Sequence, residues 1–112
     1  MSLTTIRSSD EIGAIVRSGK RLQAPSVTVL IARTPEQRDP RGRVAFIAPK
    51  KLGPAVLRNR AKRVLREAYR ASNVSHSGQD LILMANRRTG QVAHTELAAD
   101  VQKVLAKLGL LQ

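Results

Sequence analysis

The sequence has no cysteine and no tryptophan, and it contains a single Phe and a single Tyr. Without cysteine the chain cannot form a disulfide scaffold or a thiolate metal site. The scarcity of aromatic rings leaves Val, Ile, Leu and Ala to build the interior, and it leaves few rings on which nucleobases could stack. Even so, 42% of the residues are hydrophobic, which is typical of a folded domain rather than of a disordered chain.

Acidic residues are also few, because 8 Asp and Glu stand against 20 Lys and Arg and give a formal net charge of +12. A protein with this balance binds polyanions at low salt whatever its fold. No apolar run approaches the roughly 18 to 20 residues of a membrane span, and the N-terminal residues lack the apolar core of a signal peptide. We therefore expect one cytoplasmic domain, residues 1–112, whose partner is a nucleic acid and not a membrane.

The positive charge is concentrated in residues 50–70, which hold eight basic residues and one acid. Gly53 and Pro54 are typical of the start of a helix. If the segment is helical from Ala55 onward, an apolar stripe would face the core and a row of cations at i+4 spacing would point away from it. The stripe comprises Leu57, Ala61, Val64, Leu65 and Ala68, and the row comprises Arg58, Lys62, Arg66 and Arg70, flanked by Asn59 and Arg63.

Like charges at i+4 spacing repel, and each pair costs roughly 0.2 to 0.5 kcal/mol of helix stability. A surface that served only solubility would mix both signs, whereas Glu67 is the single acid in this stretch. Phosphates would supply the missing charge, and Asn59 could hold a sugar or a base edge. The residues predicted to bind RNA are Lys50, Lys51, Arg58, Asn59, Arg60, Lys62, Arg63, Arg66 and Arg70, with Arg17, Lys20, Arg21, Arg87 and Arg88 as additional candidates.

Residue periodicity predicts the remaining elements. A first helix begins after Ser8, which has capping-box spacing to Glu11, and ends before Gly19. Runs of β-branched residues at 27–32 and 43–48 predict two strands that pair as a hairpin around an exposed, mobile loop at 34–42. A buried strand follows at 80–85, and Thr95 is the predicted N-cap of a final helix. This order predicts an α+β fold, a two-layer sandwich with helices on a small sheet.

Candidate catalytic groups are sparse in this sequence. His76 and His94 lie in different segments, and a lone loop histidine is most often solvated. Asp80 and Asp100 have no carboxylate neighbour in sequence, and no phosphate-binding glycine loop or nucleophile motif is present. We therefore expect no catalytic residue and no metal site in the protein itself.

The basic stretch resembles the signature of the bacterial ribonuclease P protein subunit, with KKLGPAV at 50–56, RNRAKR at 58–63 and LREAYR at 65–70. The other predicted elements follow the family order over nearly the whole chain. The resemblance implies an αβββαβα sandwich with an extra strand near residues 21–24. It also implies a left-handed βαβ crossover through the basic helix, where the general rule for such units would favour a right-handed one.

The same resemblance implies a function. A small protein of this family binds a catalytic RNA, and the pair removes the 5′ leader from precursor tRNA without a further protein partner. The RNA carries the chemistry and holds most of the Mg²⁺, while the protein holds RNA and the single-stranded leader.

In the family, aromatic residues of the first helix and a neighbouring strand line the cleft that receives the leader. The resemblance places Ile12, Val16 and Leu30 at these positions, with Arg17 beside them. Stacking on bases, worth roughly 1 to 3 kcal/mol each, is not available from aliphatic side chains. We therefore expect apolar contact and surrounding charge to hold the leader, with weaker discrimination.

Three other interpretations fit parts of the sequence. A non-catalytic RNA-binding module, such as a ribosomal protein, shares the basic two-layer design and would co-sediment with ribosomes. A DNA-binding helix-turn-helix is disfavoured because the segment before the basic helix predicts a strand. A helix lying on a membrane surface is disfavoured because the apolar stripe lacks Trp and Phe.

Overall fold

The computed structural model describes residues 5–6, 8–33, 42–72, 74, 76 and 78–110. The predicted α+β sandwich in αβββαβα order is confirmed, including the additional strand near residues 21–24. A short 3-10 turn, Lys50–Leu52, precedes the second helix. Within the described residues, three α-helices pack on one four-stranded sheet in the order α1 (Ser9–Ser18), β1 (Lys20–Ala24), β2 (Val27–Arg33), β3 (Arg43–Ile47), α2 (Ala55–Ala71), β4 (Gln79–Ala85) and α3 (His94–Lys107).

The strands lie in the order β1-β2-β4-β3. β2 pairs antiparallel with both β1 and β4, and β3 runs parallel to β4 at the edge of the sheet. The predicted hairpin between residues 27–32 and 43–48 is therefore wrong, because β4 lies between those two strands. β4 is buried on both faces at Leu81, Ile82 and Leu83, so its continuous apolar run is best covered in the middle of the sheet. Except for Gly42, the loop predicted at residues 34–42 lies outside the described residues.

Helices cover both faces of the sheet. Because successive side chains of a strand point to opposite faces, the same strands supply two separate apolar layers. Under α2 and α3, the sheet contributes Val27, Val29, Val44, Leu81 and Leu83. Under α1, Ile15 packs in a smaller cluster with Ile6, Leu30, Ala45 and Ile82.

The helix starts agree only in part with the sequence patterns. Ser8 caps α1 as predicted, since its hydroxyl accepts a hydrogen bond of 3.3 Å from the backbone N–H of Glu11. Thr95 is not the N-cap of α3, because the cap lies two residues earlier, at Ala93, which makes no side-chain hydrogen bond. The carbonyl of Ala93 accepts the first backbone hydrogen bonds of α3, as the carbonyl of an N-cap residue ordinarily does.

A buried ion cluster fixes α1 to the edge of the sheet. The parallel register places Arg43 opposite Asp80, and the guanidinium donates two hydrogen bonds to this carboxylate, at 3.0 and 2.6 Å. A third bond of 2.7 Å reaches Glu11 of α1. The hydrogen bond to Asp80 raises the pKa of Arg43 above its already high ordinary value, so the cluster holds its cation throughout the ordinary pH range.

The basic helix α2 connects the two parallel strands β3 and β4. This is the βαβ unit for which the family resemblance implies a left-handed crossover, and the handedness stays a prediction. Among the described residues, no helix combines the length and apolar character that crossing a membrane requires.

Candidate nucleic-acid interface

The outer side of α2 is exposed and basic. Four residues of the predicted stripe, Ala61, Val64, Leu65 and Ala68, are buried as expected. Leu57 was predicted to be buried with them but is 53% exposed, because the first turn of α2 borders an open cleft of about 310 Å³ instead of a packed layer. The exposed residues of the outer side, called here the basic face of α2, are Asn59, Arg60, Arg63, Arg66 and Arg70.

No carboxylate of the described part of the chain neutralises this basic face. The ion pairs between described residues use Arg43 and Arg88, neither of which belongs to α2. No cation of the basic face lies within 4.0 Å of a carboxylate oxygen of the described residues. Glu67 is the only acid of α2. Among the described residues, no ion pair therefore offsets the repulsion among these side chains.

Along the predicted row at i+4 spacing, each step of four residues turns the side chain by about 40° around the helix axis. The row therefore begins on a half-buried flank of α2 and ends on its outer side. Arg58 and Lys62, at the start of the row, are half-buried. Arg58 donates a hydrogen bond of 3.2 Å to the carbonyl of Gly53. The Arg66 guanidinium lies 5.3 Å from the centroid of the Phe46 ring, within range of a cation–π contact.

Lys50 and Lys51 are exposed in the 3-10 turn that leads into α2. Gly53 ends this turn at a backbone φ of 124°, which residues other than glycine rarely adopt. The glycine thus permits the sharp change of direction that brings the two lysines next to the first turn of the basic helix.

A groove runs along the β3 edge of the sheet, between α1 and α2. Its volume is about 590 Å³, and none of its lining residues is acidic. Two cations lie at its sides, one from α1 and one from α2. The walls of this edge groove include Ile12, Val16, Arg17, Phe46, Lys62 and Met84.

The structure brings together three of the four residues predicted for a leader cleft, because Ile12, Val16 and Arg17 all line the edge groove. Leu30 does not join them. It is 0% exposed and packs under α1 with Ile15, so the prediction that it lines an open cleft is wrong.

Phe46 was not predicted to line the groove. Its ring contacts the ring of Tyr69 edge-on, with a centroid distance of 5.7 Å, and it also lines the edge groove. Ile12 and Val16 therefore share the edge groove with one aromatic ring. The signal in the sequence was that the only Phe of the chain lies in the strand just before the basic stretch.

A second groove lies at the end of the sheet where β3 and β4 finish, and its volume is about 580 Å³. Parallel strands end at the same edge, so the basic residues that follow β3 and β4 in sequence meet there. None of the lining residues is acidic. This strand-end groove is defined by its four cations, Arg21, Lys51, Arg87 and Arg88, and it meets the edge groove at Pro49 and Met84, which line both.

A buried polar network holds the turn between β4 and α3, which carries two of these cations. Thr89 is 1% exposed, and its hydroxyl accepts from the backbone N–H of Asn86 and donates to the carbonyl of Ser26, at 2.9 and 2.7 Å. Ser26 is itself 0% exposed and donates two hydrogen bonds to Asp100 of α3. The turn is therefore fastened both to the β1–β2 connection and to α3.

His76 is buried, in contrast to the prediction that it is solvated. Its Nδ1 lies 3.0 Å from the carbonyl of Gln79, which can only accept, so this nitrogen is the donor. In the neutral ring, Nε2 then accepts from the hydroxyl of Tyr69, and burial raises the pKa of that phenol.

His94 is exposed at the start of α3. The described residues contain no group of three or more His, Cys, Asp or Glu that could hold a metal ion.

Comparison with known proteins gives a consistent result. A family model described as Ribonuclease P matches residues 2–109. The ribonuclease P protein component of Dehalococcoides mccartyi is 41% identical over 69 residues, which cover 62% of this chain and 57% of that protein. The corresponding protein of Gluconacetobacter diazotrophicus is 34% identical over 98 residues, which cover 86% of this chain and 83% of that one. The match to the first of these relatives thus spans less than two thirds of its length.

Solved structures share the fold. The RNase P protein of Staphylococcus aureus superposes with a TM-score of 0.79 at 21% identity, covering 99% of this chain and 100% of that one. The protein from Thermotoga maritima gives a TM-score of 0.76 at 21% identity, covering 92% and 96%. At this level of identity the likeness establishes the fold.

Proposed function

Because the chain belongs to the family of bacterial ribonuclease P proteins, we propose that it is the protein subunit of ribonuclease P. In this role it would bind the catalytic RNA and assist removal of the 5′ leader from precursor tRNA in the cytoplasm. The observation that carries the proposal is the basic face of α2, which is exposed and lacks a carboxylate partner within the described residues. A phosphate backbone would remove the repulsion along this face.

The basic face of α2 is the proposed contact with the catalytic RNA. Arginine forks match phosphate oxygens in a bidentate geometry, and Asn59 between two arginines can bind a sugar hydroxyl or a base edge. Lys50 and Lys51 extend this surface at the start of the helix. By offsetting phosphate repulsion, these cations would let the RNA fold and retain Mg²⁺ at lower bulk concentration.

The edge groove is the proposed binding site for the single-stranded leader. Ile12 and Val16 offer apolar contact to base faces, Phe46 adds one aromatic ring, and Arg17 and Lys62 can reach phosphates on either side. Lys62 lines the groove, while Arg66, also on α2, lies over the Phe46 ring. A single helix would thus contact both RNAs and set their relative position.

The cleavage step is assigned to the RNA subunit and its Mg²⁺. Magnesium prefers carboxylate and phosphate oxygens, and none of the residues lining the three clefts along α2 and the strand ends is Asp or Glu. These surfaces do not fit a protein-held Mg²⁺ site. On this proposal, the protein's contribution is to bind and position RNA.

Reconstitution with a bacterial ribonuclease P RNA tests the proposal. At low Mg²⁺ the protein should stimulate 5′ maturation of precursor tRNA, because its cations replace part of the metal requirement. RNA alone should cleave at high Mg²⁺ and high salt, and protein alone should cleave nothing. Cleavage by the protein after complete removal of RNA would contradict the proposal, as would co-sedimentation with ribosomes without any effect on precursor tRNA.

A further inference from the structure

The helix α1 forms one wall of the edge groove, but little packing holds it there. Ile12 and Val16 line the groove, whereas Ile15 alone is buried among the residues of α1, all of which the structure describes. We propose that the ion pair between Glu11 and Arg43 is a positioning contact, which holds α1 at the distance from the sheet at which the groove accepts single-stranded RNA. The inference rests on the proposed function and deepens it by naming a residue that controls leader binding without contacting the leader.

The supports of α1 are spread along its length. At its C-terminal end, Gly19 leads directly into β1 and lies so close to β2 that an added Cβ would be 3.0 Å from a backbone oxygen of that strand. In the middle, Ile15 packs on the sheet. Near the N-terminal end, the carboxylate of Glu11 accepts a hydrogen bond of 2.7 Å from Arg43 of β3. Without this bond, the first turn would rely on the partial burial of Ile12.

The sheet fixes the donor of this contact. Arg43 is 6% exposed, and its Nε and Nη2 atoms donate to the two carboxylate oxygens of Asp80 on the neighbouring strand. The same Nη2 atom donates to Glu11. A guanidinium held in a bidentate pair presents its remaining donor direction in a fixed geometry. The pairing of β3 with β4 therefore determines where the first turn of α1 lies.

Glu11 acts through α1, because it does not line the edge groove, whereas the next residue, Ile12, does. Adjacent residues of a helix point about 100° apart, so one side chain can bind the sheet while its neighbour faces the groove. Phe46 of β3 also lines the groove. A displacement of the first turn would move Ile12 relative to Phe46 and change the space between them that a base could occupy.

The test compares two substitutions that remove the same charge but differ in the contact they leave. Glu11→Ala removes the acceptor altogether, whereas Glu11→Gln keeps an amide oxygen that can still accept from Arg43. Asp10→Ala is the matched control, because Asp10 is an exposed acid in the same turn of α1. For each assembled holoenzyme, the measured quantity is the ratio of affinities for precursor and mature tRNA. Affinity for the catalytic RNA and chemical denaturation report assembly and folding separately.

We expect Glu11→Ala to lower the affinity ratio by about fivefold or more, which corresponds to one lost base contact, and Glu11→Gln to lower it less. The affinities for mature tRNA and for the catalytic RNA should be unchanged, because neither RNA occupies the edge groove. Asp10→Ala should keep the ratio at the wild-type value or slightly above it, since the loss of an acid by itself favours phosphate binding.

Equal ratios for both Glu11 variants and the Asp10 control would overturn the inference, because Glu11 would then act through its charge or not at all. A parallel loss of affinity for precursor tRNA, mature tRNA and catalytic RNA would also overturn it, in favour of a general role in folding. A wild-type holoenzyme that assembles but binds precursor and mature tRNA equally well would instead contradict the proposed function.

Discussion

Arg43 shows at the scale of one residue how strongly position changes the role of a charge. Most other cations of the described residues are exposed and add to the surface potential, but Arg43 is 6% exposed and paired with two carboxylates. Transfer of these charges from water is costly, and the pairing offsets this cost only while all partners are present. The cluster therefore makes the position of α1 depend on the correct pairing of β3 with β4.

Replacing Asp80 by Asn should lower the free energy of unfolding by about 3 kcal/mol, because it leaves the buried guanidinium without its main counter-charge. Chemical denaturation would measure the change. Glu11→Gln should cost less, since the Glu11 side chain is 27% exposed and water can replace part of the contact. The exposed Glu67→Gln serves as control and should change stability by less than about 0.5 kcal/mol. Equal effects at all three positions would contradict this account of the cluster.

Tyr69 should titrate at higher pH in the folded protein than in the unfolded one, because burial raises its pKa above 10.0. The folded state then keeps a proton that the unfolded state loses, so the free energy of unfolding should fall as the pH rises past about 10. Tyr69 is the only tyrosine, so phenolate absorbance reports it directly. Tyr69→Phe should remove this part of the pH dependence. Identical absorbance titrations of folded and denatured protein would disprove the prediction.

An aromatic side chain at Ile12 or Val16 should strengthen binding of the leader. Ile12→Phe and Val16→Phe would each add a ring to the edge groove, and a stacked base is worth roughly 1 to 3 kcal/mol. The ratio of holoenzyme affinities for precursor and mature tRNA should rise accordingly, by about fivefold or more. Ala106→Phe, at an exposed position of α3, is the control. If the substitutions leave this ratio of affinities unchanged, bases do not contact these positions.

At the scale of the element, α2 combines three environments along one helix. One side builds the core, the flank with Arg58 and Lys62 is half-buried, and the outer side carries cations that pair with no carboxylate of the described residues. The arrangement follows from the helical period alone, since residues four apart drift slowly around the axis. Packing of the apolar side on the sheet supplies the stability that the repelling cations reduce.

Removing cations from the outer side of α2 should weaken binding of the catalytic RNA without unfolding the protein. Arg63→Ala and Arg66→Ala should each lower the salt slope of log affinity by about 0.9 for every duplex phosphate that the arginine neutralises. Filter binding or fluorescence titration over a range of salt measures this slope. Lys103→Ala on α3 should leave it unchanged. A slope unaffected by the α2 substitutions would mean that the basic face does not contact RNA.

At the scale of the whole molecule, the sheet order determines where the charges meet. β3 and β4 end at the same edge because they are parallel neighbours, and the basic residues that follow each strand converge there on the strand-end groove. The edge groove lies beside it, along β3. The sheet order thereby brings two basic grooves together, one along β3 and one at the strand ends.

The sequence determined the local features of this protein. The apolar stripe of α2, its exposed cations, the cap of α1 and the family signature all depend on residues within a few positions of each other, so helical period and local chemistry suffice to identify them. The family resemblance, and not a local pattern, pointed to Ile12, Val16 and Arg17, which the structure places in the edge groove.

The tertiary structure alone decided the features that join distant segments. The insertion of β4 between β2 and β3, the burial of Leu30 and His76, and the exposure of Leu57 depend on which elements become neighbours. So do the Arg43 cluster and the meeting of Lys51 with Arg87 and Arg88. Pairing between strands far apart in sequence is chosen by total burial and hydrogen bonding over the whole fold, and no window of the sequence contains that sum.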